Sequence, residues 1–579
     1  MPEYLAPAVY VEETSFRAKS IEGVSTSTTG FVGPTRKGPT TGAPELITSF
    51  GDFERIYGGY SELEFAGGNA VNYIANAVKN YFDNGGARLY VARVETGGVA
   101  ATSEELGGGG SADDNIQFIA RTTGSVGNGS VSVQLVNVEV TVQAMRRAVN
   151  GTILVDGATL YRRNGTSWVQ DDGTVFVYNE TTELWADSGD TALPAQTSSA
   201  ALFATFNVLA IDADGNESFY ENMGMQTGHP RYVGDLLSAT PGRRIEQLEN
   251  TFAIVIGANV NGFRLHEILL TVTLPVDLTG GSDGSEPTAA NYTVPLESLA
   301  RIEGISILAS PGYASFIEAN RNAIQDALIT HAETRRAYRI AVLETPQAHT
   351  VTTALEIKSR IDSSYAALYY PWVFSANPLA EAGNESISRE VLLPPSGFIC
   401  GIYARNDNTK GVSKSPGNET VRGALRFETD VSFAEQEVLN PRGVNCLRFF
   451  PGRGNRLWGA RTTSSDPEWK YVGPRRYFLY LEHSIDRSTQ WAVFENNGPL
   501  LWENVRETVS SFLYNEWVSG ALLGANPDEA YFVRCDRTTM TQNDLDNGRL
   551  ICLIGVAALK PAEFVVFRIG QKTAGEARS

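Results

Sequence analysis

Five histidines (His229, His266, His331, His349 and His483) are the side chains best suited to proton transfer or zinc binding. Their spacing supports neither. His266-Glu267 opens like a zinc-protease helix, but Leu270 stands where a second histidine would complete the metal-binding face. Gly33-Pro-Thr-Arg-Lys-Gly38 has the outer glycines of a phosphate-cradling loop, yet Pro39 follows where lysine and a hydroxyl residue would hold phosphate and magnesium. Gly452-Arg-Gly454 is a fragment of a dinucleotide fingerprint without its third glycine. Asp212-Ala-Asp214-Gly215 matches part of a calcium loop, lacks the later ligands, and reads better as a β-turn. No serine is assigned to a nucleophile elbow. The expectation is a chain with no catalytic, cofactor-binding or metal-binding residues and no cofactor.

The elements that would position a site alternate in kind along the chain. Residues 1–22 read as an extended arm, with Val9 and Val11 alternating against Tyr10 and Glu12. Within 23–98, Val71, Ile74, Ala75, Val78, Tyr81 and Phe82 recur at helical spacing; Gly85-Gly86 ends that helix, and Leu89, Val91 and Val94 belong to the strand after it. Residues 99–280 are β-rich. Inside them, 139–203 carries Asp156-Gly157, Asn164-Gly165 and Asp172-Gly173 between short β-forming runs, the pattern of an all-β insertion built from hairpins. Residues 290–438 alternate strand and helix: ISILASPG, a helix over 320–334, YRIAVLETP, a helix over 351–363, and YAALYYPWV. That spacing predicts a parallel sheet. Residues 439–562 mix strands with one long helix from Pro499 to about Gly520, whose apolar stripe is Trp502, Val505, Val509, Phe512, Leu513 and Trp517. Residues 563–579 form a second extended arm.

Composition sets the class. A chain of 579 residues is long for one core and suggests three or four domains of about 150 residues. Its net charge of −19 opposes non-specific binding to nucleic acid or anionic lipid. The charge is uneven: residues 440–579 hold 17 basic and 15 acidic side chains, leaving −21 on the rest. Four scattered cysteines without a Cys-x-x-Cys fit folding in a reducing compartment rather than a disulfide framework. The opening MPEYLAPAVYVEE has neither the basic nor the apolar region of a secretory leader. LICLIGVAALKPAEFVVF is broken by Lys560, Pro561 and Glu563, so no membrane insertion is expected.

Several passages resemble the contractile tail sheath proteins of bacteriophages and contractile injection systems. They are YLAPAVYVEETSFRAKSIEGVSTSTTGFVGPTRKGP, ELITSFGDFERIYGG, YFDNGGARLYVARV, LPPSGFICGIYARNDNTKGVSKSPGN, GVNCLRFFPGRGNRLWGARTTSSDPEWKYVGPRRYFLYLEHSI, FLYNEWVSGALLGANPDEAYFVRCD and EFVVFRIGQKT. The likeness fails chiefly over 139–203, and Gly473-Pro474 departs from it where a β-forming pair is expected before Arg475-Arg476. The resemblance implies an α+β multi-domain chain: an α/β middle domain of subtilisin-like shape without catalytic residues, a β-rich outer domain, an α+β C-terminal domain facing an inner tube, and terminal arms. It implies self-assembly into hexameric rings or a six-start helix, an inner tail tube protein as partner, and baseplate and tail-terminator proteins at the ends. The implied place is a virion tail or injection-system particle assembled in the host cytoplasm; a static capsid, shell or surface-layer protein is the alternative. The arms would add strands to neighbouring subunits through Val9, Tyr10 and Val11 at one end and Val565, Phe567 and Ile569 at the other. On the long helix, Glu503, Arg506, Glu507 and Ser510 lie off the apolar stripe and are the tube-contact candidates.

Overall fold

The computed structural model describes residues 21–381 and 383–568. Val9, Tyr10, Val11 and Ile569 lie outside them. Among the described residues, no helix is long and apolar enough to cross a membrane.

At the centre is a nine-stranded sheet in the order Leu46–Ile47, Leu89–Arg93, Thr29–Gly33, Ile307–Ala309, Ile340–Glu344, Ala366–Tyr370, Val444–Phe450, Gly454–Trp458, Glu419–Thr420. The strands from Leu89–Arg93 through Val444–Phe450 pair in parallel, and those beyond them at each edge are antiparallel. Parallel strands need cover on both faces, so their sequences are apolar throughout rather than alternating. Successive residues divide between two cores: Ile307, Ala309, Ile340 and Val342 on one face, Leu308, Ala341 and Leu343 on the other. Helices Tyr73–Asp83 and Ser396–Lys410 cover the first face; Thr293–Ala300, Glu318–Glu333 and Val351–Ser359 cover the second. The two helices of the first face touch through glycines. A Cβ on Gly397 would sit 2.6 Å from the Ala77 Cα, and one on Gly401 2.5 Å from the Tyr81 carbonyl oxygen, so any larger residue forces them apart.

Residues 23–98, expected as the N-terminal part of the core, contribute to this sheet: Thr29–Gly33 pairs with Leu89–Arg93 on one side and Ile307–Ala309 on the other. A division between residues 438 and 439 would cut the sheet, since Val444–Phe450 pairs with Ala366–Tyr370. Gly473-Pro474 is also not in a strand: it falls in the first turn of helix Val472–Ser488, where a missing N–H costs nothing and proline's φ is already helical.

The outer unit is a second, antiparallel sheet. Strand Ala201–Ile211 pairs with Ser130–Glu139 on one side and with both Ile153–Asp156 and Glu217–Met223 on the other. Asp156-Gly157, Asn164-Gly165 and Asp172-Gly173 each turn a hairpin, with glycine φ of 62°, 60° and 90° respectively. The hairpin stack has its own core of Met145, Leu154, Tyr161, Trp168, Phe176 and Trp185, while Ile153 and Leu160 at its base join the outer unit's core. Leu135 already faces Phe206 across the sheet. Replacing 136–205 by Asn-Gly therefore leaves a two-residue turn between paired strands. The shortened chain is expected to fold, less stable by about 2–4 kcal/mol for the apolar groups withdrawn at the base. Calorimetry checks this, and an unfolded product would show that the stack completes the outer core.

Two linkers join the outer unit to the centre and bridge each other at Thr96–Gly284, Val99–Ser282 and Thr102–Thr279. Beside them Arg36 is buried. Its guanidinium donates to the Glu62 carbonyl (2.9 Å), Ser125 Oγ (2.6 Å), Asp214 (3.0 Å), Glu64 (3.3 Å) and Asp283 (3.4 Å). The Asp212–Gly215 turn is thus a site for a guanidinium rather than calcium, and the Gly33–Gly38 segment binds carboxylates rather than phosphate.

Candidate functional site

The C-terminal unit is built on helices Val472–Ser488 and Pro499–Val518 and on a hairpin of Tyr531–Arg534 with Leu553–Val556. Trp502, Val505, Val509, Phe512 and Leu513 bury against Tyr477 and Leu481, and Trp517 is half-buried beside them. Both Tyr477 and Tyr480 donate to the Glu516 carboxylate at 3.0 Å, tying the helices together. Helix Val472–Ser488 is fixed to the centre by the buried Arg476–Asp407 pair (2.6 Å) and by Asp486, which accepts from Arg336 and Tyr338.

Burial of the apolar stripe leaves Glu503 and Glu507 exposed and Arg506 and Ser510 half-buried on another face of the same helix. Arg506 pairs with Glu503 and lies 3.7 Å from Glu507. These three form one charged patch, and Ser510 lies one turn further along.

The terminal segment leaves the C-terminal unit along the central layer. Its Glu563 carboxylate accepts from Arg461, from Asn440 Nδ2 (2.7 Å) and from the Tyr471 hydroxyl (3.0 Å). Burial alone would raise its pKa, but the hydrogen bonds and charge of Arg461 and its neighbours hold it below the usual carboxylate range. Directly after this anchor, Phe564, Val565, Val566 and Phe567 are 73, 69, 77 and 82% exposed and belong to no strand.

Serine spacings that suggest nucleophiles do occur in the sequence. Gly280-Gly-Ser282-Asp-Gly284 lies in a linker, where Ser282 Oγ accepts from the Gly284 amide (3.0 Å). Gly165-Thr-Ser167 is a hairpin turn. Near the strand ends of the central sheet, where α/β folds hold ligands, Ser396 opens a buried helix. It donates to Glu344 (2.5 Å), which also accepts from the Gly312 amide (2.7 Å), and both residues are sealed from solvent. Sequence reasoning missed this pair; its one signal is a lone acid closing the apolar run Ile-Ala-Val-Leu.

Burial pushes Glu344 up to about 8, although the Ser396 and Gly312 hydrogen bonds oppose the rise. The folded chain therefore holds a proton that the unfolded chain releases near pH 4.3, and stability falls by about 1.4 kcal/mol per pH unit between that value and the folded pKa. Glu344→Gln should stabilise the protein by about 2–4 kcal/mol at about pH 9 and change little at about pH 4. Urea unfolding at both pH values measures it; equal shifts would mean that Glu344 is ionised throughout.

Among the described residues, the candidates form a charged helix face and an exposed segment rather than a cleft. The phage tail sheath protein central domain matches residues 285–463, and the phage tail sheath C-terminal domain matches 464–572. The chain belongs to the phage tail sheath family. It is 24% identical over 269 residues to a prophage major tail sheath protein of Pseudomonas aeruginosa, covering 45% of this chain and 64% of that one. It is 22% identical over 177 residues to the tail sheath protein of Enterobacteria phage T4, covering 30% of this chain and 26% of the T4 protein. The aligned region thus spans less than two thirds of either relative. The helical sheath of the anti-feeding prophage in its contracted state shares the fold at TM-score 0.53 and 20% identity, over 98% of this chain and 99% of that one.

Proposed function

We propose that this chain is the subunit of a contractile tail sheath. It polymerises with its own copies, as hexameric rings or a six-start helix, around an inner tail tube in a metastable extended state. Contraction then drives the tube through a target envelope. The observation that carries this reading is the match of sheath domains over residues 285–572. The energy is a difference between two packings of one sequence, so the chain acts as a structural motor and not as an enzyme. A few kcal/mol per subunit suffices when many repack together. The central α/β layer has the subtilisin-like shape without its chemistry; sealing Ser396 and Glu344 in the interior supports that view. Baseplate and tail-terminator proteins close the ends, in a virion tail or injection-system particle assembled in the host cytoplasm.

Val565, Phe567 and Ile569, with Val9, Tyr10 and Val11, are the strand-forming residues of the two arms. The exposed row 564–567 supports the first of these assignments. Glu503, Arg506, Glu507 and Ser510 are the tube-facing patch. Sheath must grip the tube and later release it, and exposed charges worth about 0–1 kcal/mol each suit a grip that is strong only in repetition. Negative-stain images of purified protein test the function: hollow, cog-like cylinders are expected, and flat lattices or closed shells would overturn it. Arg506→Glu sets three acids side by side, costing the helix only a few tenths of a kcal/mol. The variant should fold yet coat preformed tubes poorly. Normal coating would remove this face from the tube contact.

A further inference from the structure

We propose that Cys535 and Cys552 are an oxidisable pair whose disulfide staples the last hairpin of the chain. The inference does not depend on the proposed function. Strands Tyr531–Arg534 and Leu553–Val556 run antiparallel with Arg534 opposite Leu553, and the next step of that register sets Cys535 opposite Cys552. Opposed residues of an antiparallel pair have Cα atoms about 4.5–5.5 Å apart, within the ~4.4–6.8 Å that a disulfide spans. The two thiols are within hydrogen-bonding reach of each other, and both are free. Sixteen residues separate them in sequence, which hides the pair from any reading of cysteine spacing. They meet because the intervening chain doubles back through the short helix Gln542–Asp546.

The other two cysteines have no such neighbour. Cys400 lies in the core on one face of the central sheet and Cys446 in the core on the other, each fully buried. Cys535 is 2% exposed and Cys552 is half-buried, so Cys552 is the sulfur an oxidant reaches first. Burial pushes both thiols up; the facing thiol adds to the rise at Cys552, to about 12, and its hydrogen bond opposes the rise at Cys535. The pair is therefore slow to react at neutral pH and faster under alkaline conditions.

The oxidant is a small-molecule disulfide such as oxidised glutathione. The Cys552 thiolate attacks one glutathione sulfur, breaking that S–S bond and releasing one glutathione thiolate. The Cys535 thiolate then attacks the Cys552 sulfur of the mixed disulfide and releases the second. Two electrons pass to glutathione, and the two cysteine protons end on the two glutathione thiols. The product closes the 536–551 loop and fixes the hairpin from which the chain runs on to the Glu563 anchor.

The full-length protein, incubated with oxidised or reduced glutathione at mildly alkaline pH, alkylated and digested, tests the proposal by mass spectrometry. Oxidised protein should lose two alkylatable thiols, yield a crosslinked peptide joining 535 to 552, and melt at a higher temperature. Cys535→Ser should stop at a glutathione adduct on Cys552 with no rise in melting temperature. Four alkylatable thiols after full exposure, or a crosslink joining any other pair, overturns the proposal. Should Cys535→Ser fail to fold, the wild-type peptide map decides alone.

Discussion

Truncation after Glu563 is expected to leave a folded, soluble subunit that no longer forms long polymers. Among the described residues little packs on Phe564, Val565, Val566 or Phe567, each at least 69% exposed. Glu563 itself, with its bonds to Arg461, Asn440 and Tyr471, stays in place. The loss falls on whatever covers the row in an assembly. Burying a valine or phenylalanine is worth about 1.5–3 kcal/mol, so four forfeit roughly 6 kcal/mol or more, over a thousandfold in affinity per contact. A polymer joined by repeated contacts of this kind does not survive such a loss. Sedimentation velocity reads the result directly, with circular dichroism to confirm the fold. Long polymers from the truncated chain would show that the row is not a joint. Removal of residues 1–15 should act in the same direction through Val9, Tyr10 and Val11.

Arg36→Gln should destabilise the subunit by about 3–5 kcal/mol, because Asp283 and Asp214 are left buried without their cation. The arginine is 3% exposed, Asp283 2% and Asp214 16%; only Glu64 can turn to water. The strain is local to the joint between centre and outer unit, so a two-stage denaturation curve is expected, with protease cutting first at the glycines of 107–110. Adding Asp214→Asn and Asp283→Asn to Arg36→Gln should restore about half of the loss, because neutral amides cost less to bury unpaired than carboxylates. A single-stage curve at wild-type stability would mean that water already screens the cluster.

Local pattern revealed what is local. The helix Tyr73–Asp83 follows from its apolar spacing, the three hairpins from their Asn-Gly and Asp-Gly turns, and the buried stripe of Pro499–Val518 from its period. Helix Ser396–Lys410 is buried on every face over Ser396–Ala404, because it packs against both the sheet and its neighbour helix, so no stripe betrays it. The placing of Thr29–Gly33 beside Ile307–Ala309 is a long-range pairing with no local trace. Arg36 sits in a segment whose glycines suggest phosphate, and only the fold brings the carboxylates that are its true partners. The charged patch on Pro499–Val518 was legible because one helix holds all of it; the Cys535–Cys552 pair was not, because it takes a hairpin to make it.

The interleaved central sheet also has a consequence for synthesis. Thr29–Gly33 finds Leu89–Arg93 early, yet its other edge stays open until Ile307–Ala309 emerges roughly 270 residues later. At about 5–20 residues per second this is a wait of about 14–55 s on the ribosome. The outer unit, whose paired strands Ser130–Glu139, Ala201–Ile211 and Val276–Asp277 all emerge in that interval, can close first. The nascent chain thus carries a finished β unit beside an unsatisfied strand edge, the kind of edge that invites pairing with a neighbouring nascent chain on the same message. Elongation rate across the outer unit sets how long that invitation stands.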